Sequence, residues 1–208
     1  MQEVALYFTY PQPAAYFAWH LLTTRPDAFP GLKVRWTPIL YRRLMALGGA
    51  DDKGSPPLVL RYMYSDAQRW ADAHGIPFKA PHRALPADQT AHRVHLLAQD
   101  ADANDPPGGK GWEAAWLEAM HMAVRRDGMD PTDPVSVFEL ATVTKIPGLD
   151  DISDPRLDAR LEANTQAALL DYACDVPFLV WKGEAFRGVD GLEWLSARLR
   201  GERGQARL

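Results

Sequence analysis

Two stretches decide the fold: Val4-Ala-Leu-Tyr-Phe-Thr-Tyr-Pro-Gln-Pro-Ala-Ala-Tyr-Phe-Ala-Trp-His-Leu-Leu22 near one end, and Val176-Pro-Phe-Leu-Val-Trp-Lys-Gly-Glu-Ala-Phe-Arg-Gly-Val-Asp190 near the other. In the first, Val4 to Tyr10 is rich in β-branched and aromatic residues and predicts a strand. Pro11-Gln12-Pro13 breaks it. Pro13 suits the first turn of a helix, where a missing N–H has no intrahelical partner to lose. Tyr16, Phe17, Trp19, His20 and Leu21 then give that helix a broad apolar face. The second stretch reads as an X-Pro turn, a strand from Phe178 to Trp181, a Lys182-Gly183 hairpin into Ala185-Phe186-Arg187, and a last helix, Gly191 to Leu199, that starts at Asp190.

Working outward, Leu32 to Thr37 alternates apolar and polar residues and predicts a second strand, closed by Pro38. Residues 1–40 are thus a β-α-β unit, the crossover that parallel strands require. The middle is helical. Pro57 to His74 carries apolar residues near a helical period and Gly75 stops it. Asp88 caps a helix from Gln89 to Leu97, and Asp100 to Gly111, with its Asn, Asp, Pro and Gly, reads as a surface loop. Trp112 to Arg125 is a further helix with Gly128 as its C-cap, and Pro134 to Thr142 one more. Ser153 or Asp154 caps, and Pro155 opens, a long helix to Tyr172.

The chain has 208 residues, of which 47% are hydrophobic, enough for a full core. A net charge of −4 argues against a nucleic-acid binder, which would carry a basic face. The arginines between Arg198 and Arg207 read as a frayed end. No leader pattern and no run of about 18 apolar residues stands in the sequence, so the expectation is a cytoplasmic protein without a membrane span. Cys174 is the single cysteine, which excludes an internal disulfide and a Cys-x-x-Cys redox pair.

These elements, in this order, resemble the 2-hydroxychromene-2-carboxylate isomerases and the kappa-class glutathione transferases, of the DsbA-like branch of the thioredoxin superfamily. Leu6-Tyr-Phe-Thr-Tyr10 with Pro13-x-x-Tyr16 is similar to the family's first strand and helix, and Val34 to Leu40 to its second strand. Arg61-Tyr-Met63, Asp66, Arg69-Trp-Ala71 and Gly75-Ile-Pro-Phe78 resemble its first inserted helix. Gly128-x-Asp130, Asp133-Pro-Val135, Leu161-x-x-Asn164-Thr165, Val176-Pro-Phe178 and Gly188-x-Asp190 complete the series. The resemblance implies an α/β fold: a thioredoxin-like domain over residues 1–50 and 165–208, with an inserted α-helical domain over 51–164.

It also implies glutathione as cofactor. The backbone of Val176, before a cis Pro177, would pair with the cysteinyl part, as a strand adds to a sheet edge. Gly188, Val189 and Asp190 would hold the γ-glutamyl end, with helix-start N–H groups on its carboxylate and Asp190 on its ammonium group. By family position, Tyr10, Pro13, Arg42, Tyr62 and Asn164 belong to a pocket for a small, aromatic-derived electrophile. The family further implies a homodimer. The activity implied is glutathione-dependent isomerisation or transfer.

The chain departs from the family at four places. Gln12 stands where the family has serine before the proline of the first helix. Glutamine is no nucleophile, although its amide N–H would donate to a thiolate. Tyr41-Arg42-Arg43 replaces glycines, Val59 a lysine and Gly191 an arginine. Gln12 and Arg42 favour the alternative, a non-catalytic thioredoxin-fold binding protein, and the missing Cys-x-x-Cys disfavours a disulfide oxidoreductase.

Each of these residues also has a plainer role. Gln12 and Asp190 serve as helix caps, Val176-Pro177 is required by the fold itself, and Asn164 bonds nearby backbone. His92 and His95 are expected on a solvated helix face rather than on a metal, His20 is partly buried, and Cys174 reads as inert packing. Of the aromatics, Tyr10 and Tyr62 are the two expected to reach the cleft.

Overall fold

The computed structural model describes residues 2–49, 56–81, 89–105 and 109–201. Its centre is β1 (Gln2–Phe8), whose apolar run is buried on both faces. Val4, Leu6 and Phe8 enter the larger core, while Ala5 and Tyr7 enter the smaller one on the opposite face. Successive side chains of a strand point to opposite faces, so a strand buried on both needs apolar residues throughout. β1 pairs in parallel with β2 (Leu32–Pro38) and antiparallel with β3 (Phe178–Trp181); β3 pairs with β4 (Glu184–Arg187). The order is β2-β1-β3-β4, so the two ends of the chain meet in one sheet.

α1 (Pro13–Thr24) and α8 (Asp190–Leu199) pack on the Leu6 face, α8 through Leu192 and Leu195. α2 (Tyr41–Leu47) and α7 (Pro155–Leu170) cover the other face through Leu44 and Ala168. α3 (Pro57–His74), α4 (Thr90–Asn104), α5 (Trp112–Met122) and α6 (Pro134–Thr144) make up the middle of the chain. The larger core runs without a break from β1 into α4 and α5 through Val94, Leu97, Trp116 and Met120. Residue 165, where the inserted segment was expected to end, lies inside α7, whose Thr165 hydroxyl accepts the Leu40 N–H at 3.0 Å.

Caps follow the sequence in most places. Gly75 and Gly128 are left-handed at helix ends, as only a residue without Cβ does at no cost. Asp154, not Ser153, caps α7 by accepting the Arg156 N–H, and Asp133 caps α6. Asp88 and residues 202–207 of the arginine-rich end lie outside the described residues, but Arg198 is not frayed: it grips Glu184 at 2.8 Å. Several boundaries differ from expectation, and α5 ends at Met122 instead of Arg125. β1 stops at Phe8 instead of Tyr10, and α7 at Leu170 instead of Tyr172. α4 continues through Asp100 to Asn104, where a loop was expected. Tertiary partners explain this: Arg160 binds the Asp100 carboxylate at 2.7 Å, and Asp102 accepts the first N–H groups of α5 from Trp112 and Glu113.

His92 and His95 are also a correction. They are 3% and 0% exposed, not solvated. His92 Nε2 meets the Thr9 hydroxyl at 3.0 Å, and His95 stands between the Tyr10 hydroxyl (2.9 Å) and Glu113 (3.0 Å). Among the described residues no group of three or more His, Cys, Asp or Glu is placed to hold a metal, and no helix is long and apolar enough to cross a membrane. Burial alone would raise the Glu113 carboxyl, but bonds from His95 and Gln99 outweigh it and hold it below its ordinary range. His121 lies among the rings of Trp19, Tyr10 and Tyr16, with neither ring nitrogen bonded. Burial, with the Arg125 charge second, keeps it neutral, well below the usual 6.5.

Two predictions follow from this packing. A Cβ on Gly191 would lie 2.9 Å from the backbone carbon of Phe186, which cannot swing aside as a side chain can. Gly191→Ala should cost about 1–3 kcal/mol, read as a lower denaturant midpoint at unchanged slope. His121 binds its proton only when unfolded, so its contribution is full above pH 6.5 and falls as pH drops below that value, at a limiting slope of about 1.4 kcal/mol per pH unit. His121→Phe should flatten the pH dependence of unfolding free energy between pH ~6.5 and ~5. Loss from Glu113 begins only near its own, more acidic range, so the two windows separate.

Candidate functional site

The parallel strands β1 and β2 both end toward the start of a helix, α1 and α2. Ligands of open α/β sheets bind outside such carboxyl ends. Gln12 is the N-cap residue of α1 and half-buried, but its side chain makes no cap bond. Its side chain lies close enough to Tyr41, the first residue of α2, to act on that hydroxyl. Gln12 is therefore not the side-chain cap that the plain reading supposed. Pro13 is buried at the first helical position.

Facing this pair is the Val176-Pro177 bond, which is cis. The Pro177 carbonyl accepts the Gly188 N–H at 2.8 Å, and Gly188 takes the left-handed conformation at φ +69°. Val189 caps α8 and Asp190 is its first residue, exposed and without a side-chain cap bond, a correction to the expected N-cap role. The loop and the helix start are thus tied by a backbone bond.

Asp175 is the hub of the cleft. One carboxylate oxygen accepts the Val176 N–H at 2.8 Å and the Tyr41 hydroxyl at 3.2 Å, and the other accepts from Arg187 at 3.3 Å. Burial first, and the neighbouring Asp175 charge second, push the Tyr41 hydroxyl well above its ordinary range, so it stays protonated and donates. Cys174 is exposed beside this cluster, which overturns its reading as inert packing.

Of the residues expected to line the substrate pocket, Tyr10 is 1% exposed, its hydroxyl spent on His95, so it belongs to the core. Tyr62 is 64% exposed on α3, and Arg42 is exposed on the first turn of α2 beside Tyr41. Asn164 donates to the Pro38 carbonyl at 3.0 Å and braces the end of β2, its plainer role. Sequence reasoning missed Tyr41, Asp175 and Arg187 as parts of the cleft. The one signal was Asp175 itself, an acceptor of the type that bonds a nearby backbone N–H, placed just ahead of the X-Pro bond.

The cleft can offer a helix start, an amide donor, a protonated phenol and a backbone edge, but no nucleophile at the start of α1. Among known proteins, the chain is 27% identical over 194 residues to a 2-hydroxychromene-2-carboxylate isomerase of Pseudomonas sp. (strain C18), covering 91% of this chain and 86% of that one. It superposes on a solved 2-hydroxychromene-2-carboxylate isomerase with a TM-score of 0.74 at 23% identity, over 96% of this chain and 95% of that one. The cytosolic disulfide reductase DsbM of Pseudomonas aeruginosa, solved with GSH, gives a TM-score of 0.61 at 18% identity, over 95% and 99%. A putative protein disulfide isomerase of Nitrosomonas europaea gives 0.66 at 14%, over 98% and 99%. The profile of the DsbA-like thioredoxin domain matches residues 3–200, nearly the whole chain, and with that coverage the chain belongs to the DsbA-like thioredoxin family.

Proposed function

We propose that this protein is a glutathione-dependent isomerase or transferase of the 2-hydroxychromene-2-carboxylate isomerase type. The observation that carries the reading is the joining of the cis-Pro177 loop to the start of α8, opposite Gln12 at the start of α1. The isomerase relative covers most of both chains, and one structural neighbour is a GSH complex.

The residues fit glutathione in chemistry. The start of α8 offers N–H groups to a carboxylate, and exposed Asp190 would meet an ammonium group. The Val176 backbone is the edge for the cysteinyl part, although its N–H is already bonded to Asp175. A ligand carbonyl there would displace that carboxylate, which Tyr41 and Arg187 would go on holding. Bound glutathione supplies a thiolate nucleophile toward a conjugated electrophile, whose reversible addition permits bond rotation. The protein's part is to bind and to orient. The Gln12 amide, in place of the family's serine hydroxyl, would donate to sulfur at the positive end of α1. Exposed Arg42 would attract an anionic substrate into the cleft and Tyr62 would offer a ring face. A cytoplasmic site of action fits, because reduced glutathione is held there.

Calorimetric titration with reduced glutathione tests the reading. Binding in the millimolar range or tighter is expected, weakened severalfold by Asp190→Asn. Gln12→Ser should raise the rate of thiol addition to a conjugated aromatic ketone. No heat and no thermal shift at saturating glutathione would favour the non-catalytic binding protein, a reading the occupied Val176 N–H supports.

A further inference from the structure

Arg125 is the oddest buried group in the molecule. It is 0% exposed. Its Nη2 donates to the carbonyls of Tyr10 (3.3 Å) and Pro11, the turn that leads into Gln12 and Pro13. Its Nε and Nη1 have no hydrogen-bond partner among the described residues. Phe78 covers it, with the guanidinium 5.6 Å from the ring centroid. The titratable groups that act on it are Tyr16 of α1, Tyr64 of α3 and His121 of α5, and none is an acid of ordinary strength. Tyr16 gives its hydroxyl to the Pro77 carbonyl, and His121 is kept neutral by burial. Burial pulls Arg125 down to about 10, so it remains charged at neutral pH.

A buried cation without a counter-charge costs several kcal/mol. The chain also makes a local exception to place it. Residues Ala123–Asp127 form a π-turn, closed by the Gly128 N–H on the Ala123 carbonyl, which also accepts the Met129 N–H at 2.8 Å. Such turns add a residue to a helix and re-aim its side chains. Here they put adjacent arginines in opposite environments: Arg125 is sealed inside, while Arg126 is half-exposed and paired with Asp127 at 2.7 Å.

We propose that Arg125 is a positioning residue of the cleft: a buried positive charge, without a counter-charge among the described residues, that fixes the turn between β1 and α1 and favours an anion, in particular a thiolate, at the start of α1. It works in the same direction as the α1 dipole. Asp175 opposes it, with its charge drawn toward Arg187 and the Tyr41 hydroxyl. This inference deepens the glutathione reading and rests on the same cleft. Its test does not need glutathione, so the two fail separately.

In a Cys174→Ser background, which removes the exposed native thiol, Gln12→Cys sets a reporter thiol at the start of α1. Its ionisation is followed by ultraviolet thiolate absorbance and by the pH dependence of alkylation. The reporter should ionise well below the ordinary ~8.5. Adding Arg125→Met, which keeps the stem and removes the charge, should raise the midpoint by about one pH unit. Arg125→Lys should return most of that change. Arg125→Gln, neutral but able to donate to the Pro11 carbonyl, replaces the Met variant if that one does not fold, as judged by near-ultraviolet circular dichroism. An unchanged midpoint in a folded neutral variant overturns the proposal. So does an equal rise in the Lys and neutral variants, which would mean that the fork geometry acts and the charge does not.

Discussion

Everything in this molecule hangs on one strand that must satisfy both edges and both faces. β1 takes its parallel partner from the first forty residues and its antiparallel partner from the last thirty-odd, so the sheet cannot close until the chain's ends meet. Its two faces feed two cores, and the larger continues without interruption into the inserted helices. The sheet and the insertion therefore share apolar contacts, joined by the buried bonds of Thr9 with His92 and of Tyr10 with His95. The cleft is held by this arrangement, because the helix starts and the cis-Pro loop all adjoin strands of the one sheet centred on β1.

Chemically, the cleft is a competition between two charges. Asp175 draws N–H and O–H groups toward the loop and occupies the backbone donor of Val176. Arg125 holds the β1–α1 turn, its Nε and Nη1 without a partner among the described residues. Gln12, which follows the Pro11 carbonyl that Arg125 binds and which acts on Tyr41, is neutral. A residue that neither gives nor takes a proton leaves the balance of the cleft to these neighbours.

The framework of this fold was legible because punctuation residues act locally. Pro13 and Pro155 open helices, Gly75 and Gly128 close them, and Lys182-Gly183 turns a hairpin. Each depends on φ preferences that need no distant partner. What stayed hidden depends on groups far apart in sequence. A histidine pair three residues apart looks the same on a wet face as on a dry one; only Thr9, Tyr10 and Glu113, contributed by other elements, make it core. Asp100 to Asn104 has loop composition but helical geometry because Arg160 and the start of α5 consume its carboxylates. Arg125 points inward through a π-turn that no periodicity announces. Tyr41 was visible as a bulky replacement, yet its hydrogen bond to Asp175 exists only once the two ends of the chain are brought together.

The bond from the Gly188 N–H to the Pro177 carbonyl has a further effect. It makes the X-Pro loop and the first turn of α8 a single bracket with two grips at a set spacing. A ligand that engages both is measured end to end, so one residue more or less between its strand-like part and its terminal carboxylate would leave one grip empty. Selection by such a bracket is selection by length, and it would survive changes in the side chains along the cleft, including the loss of a nucleophile.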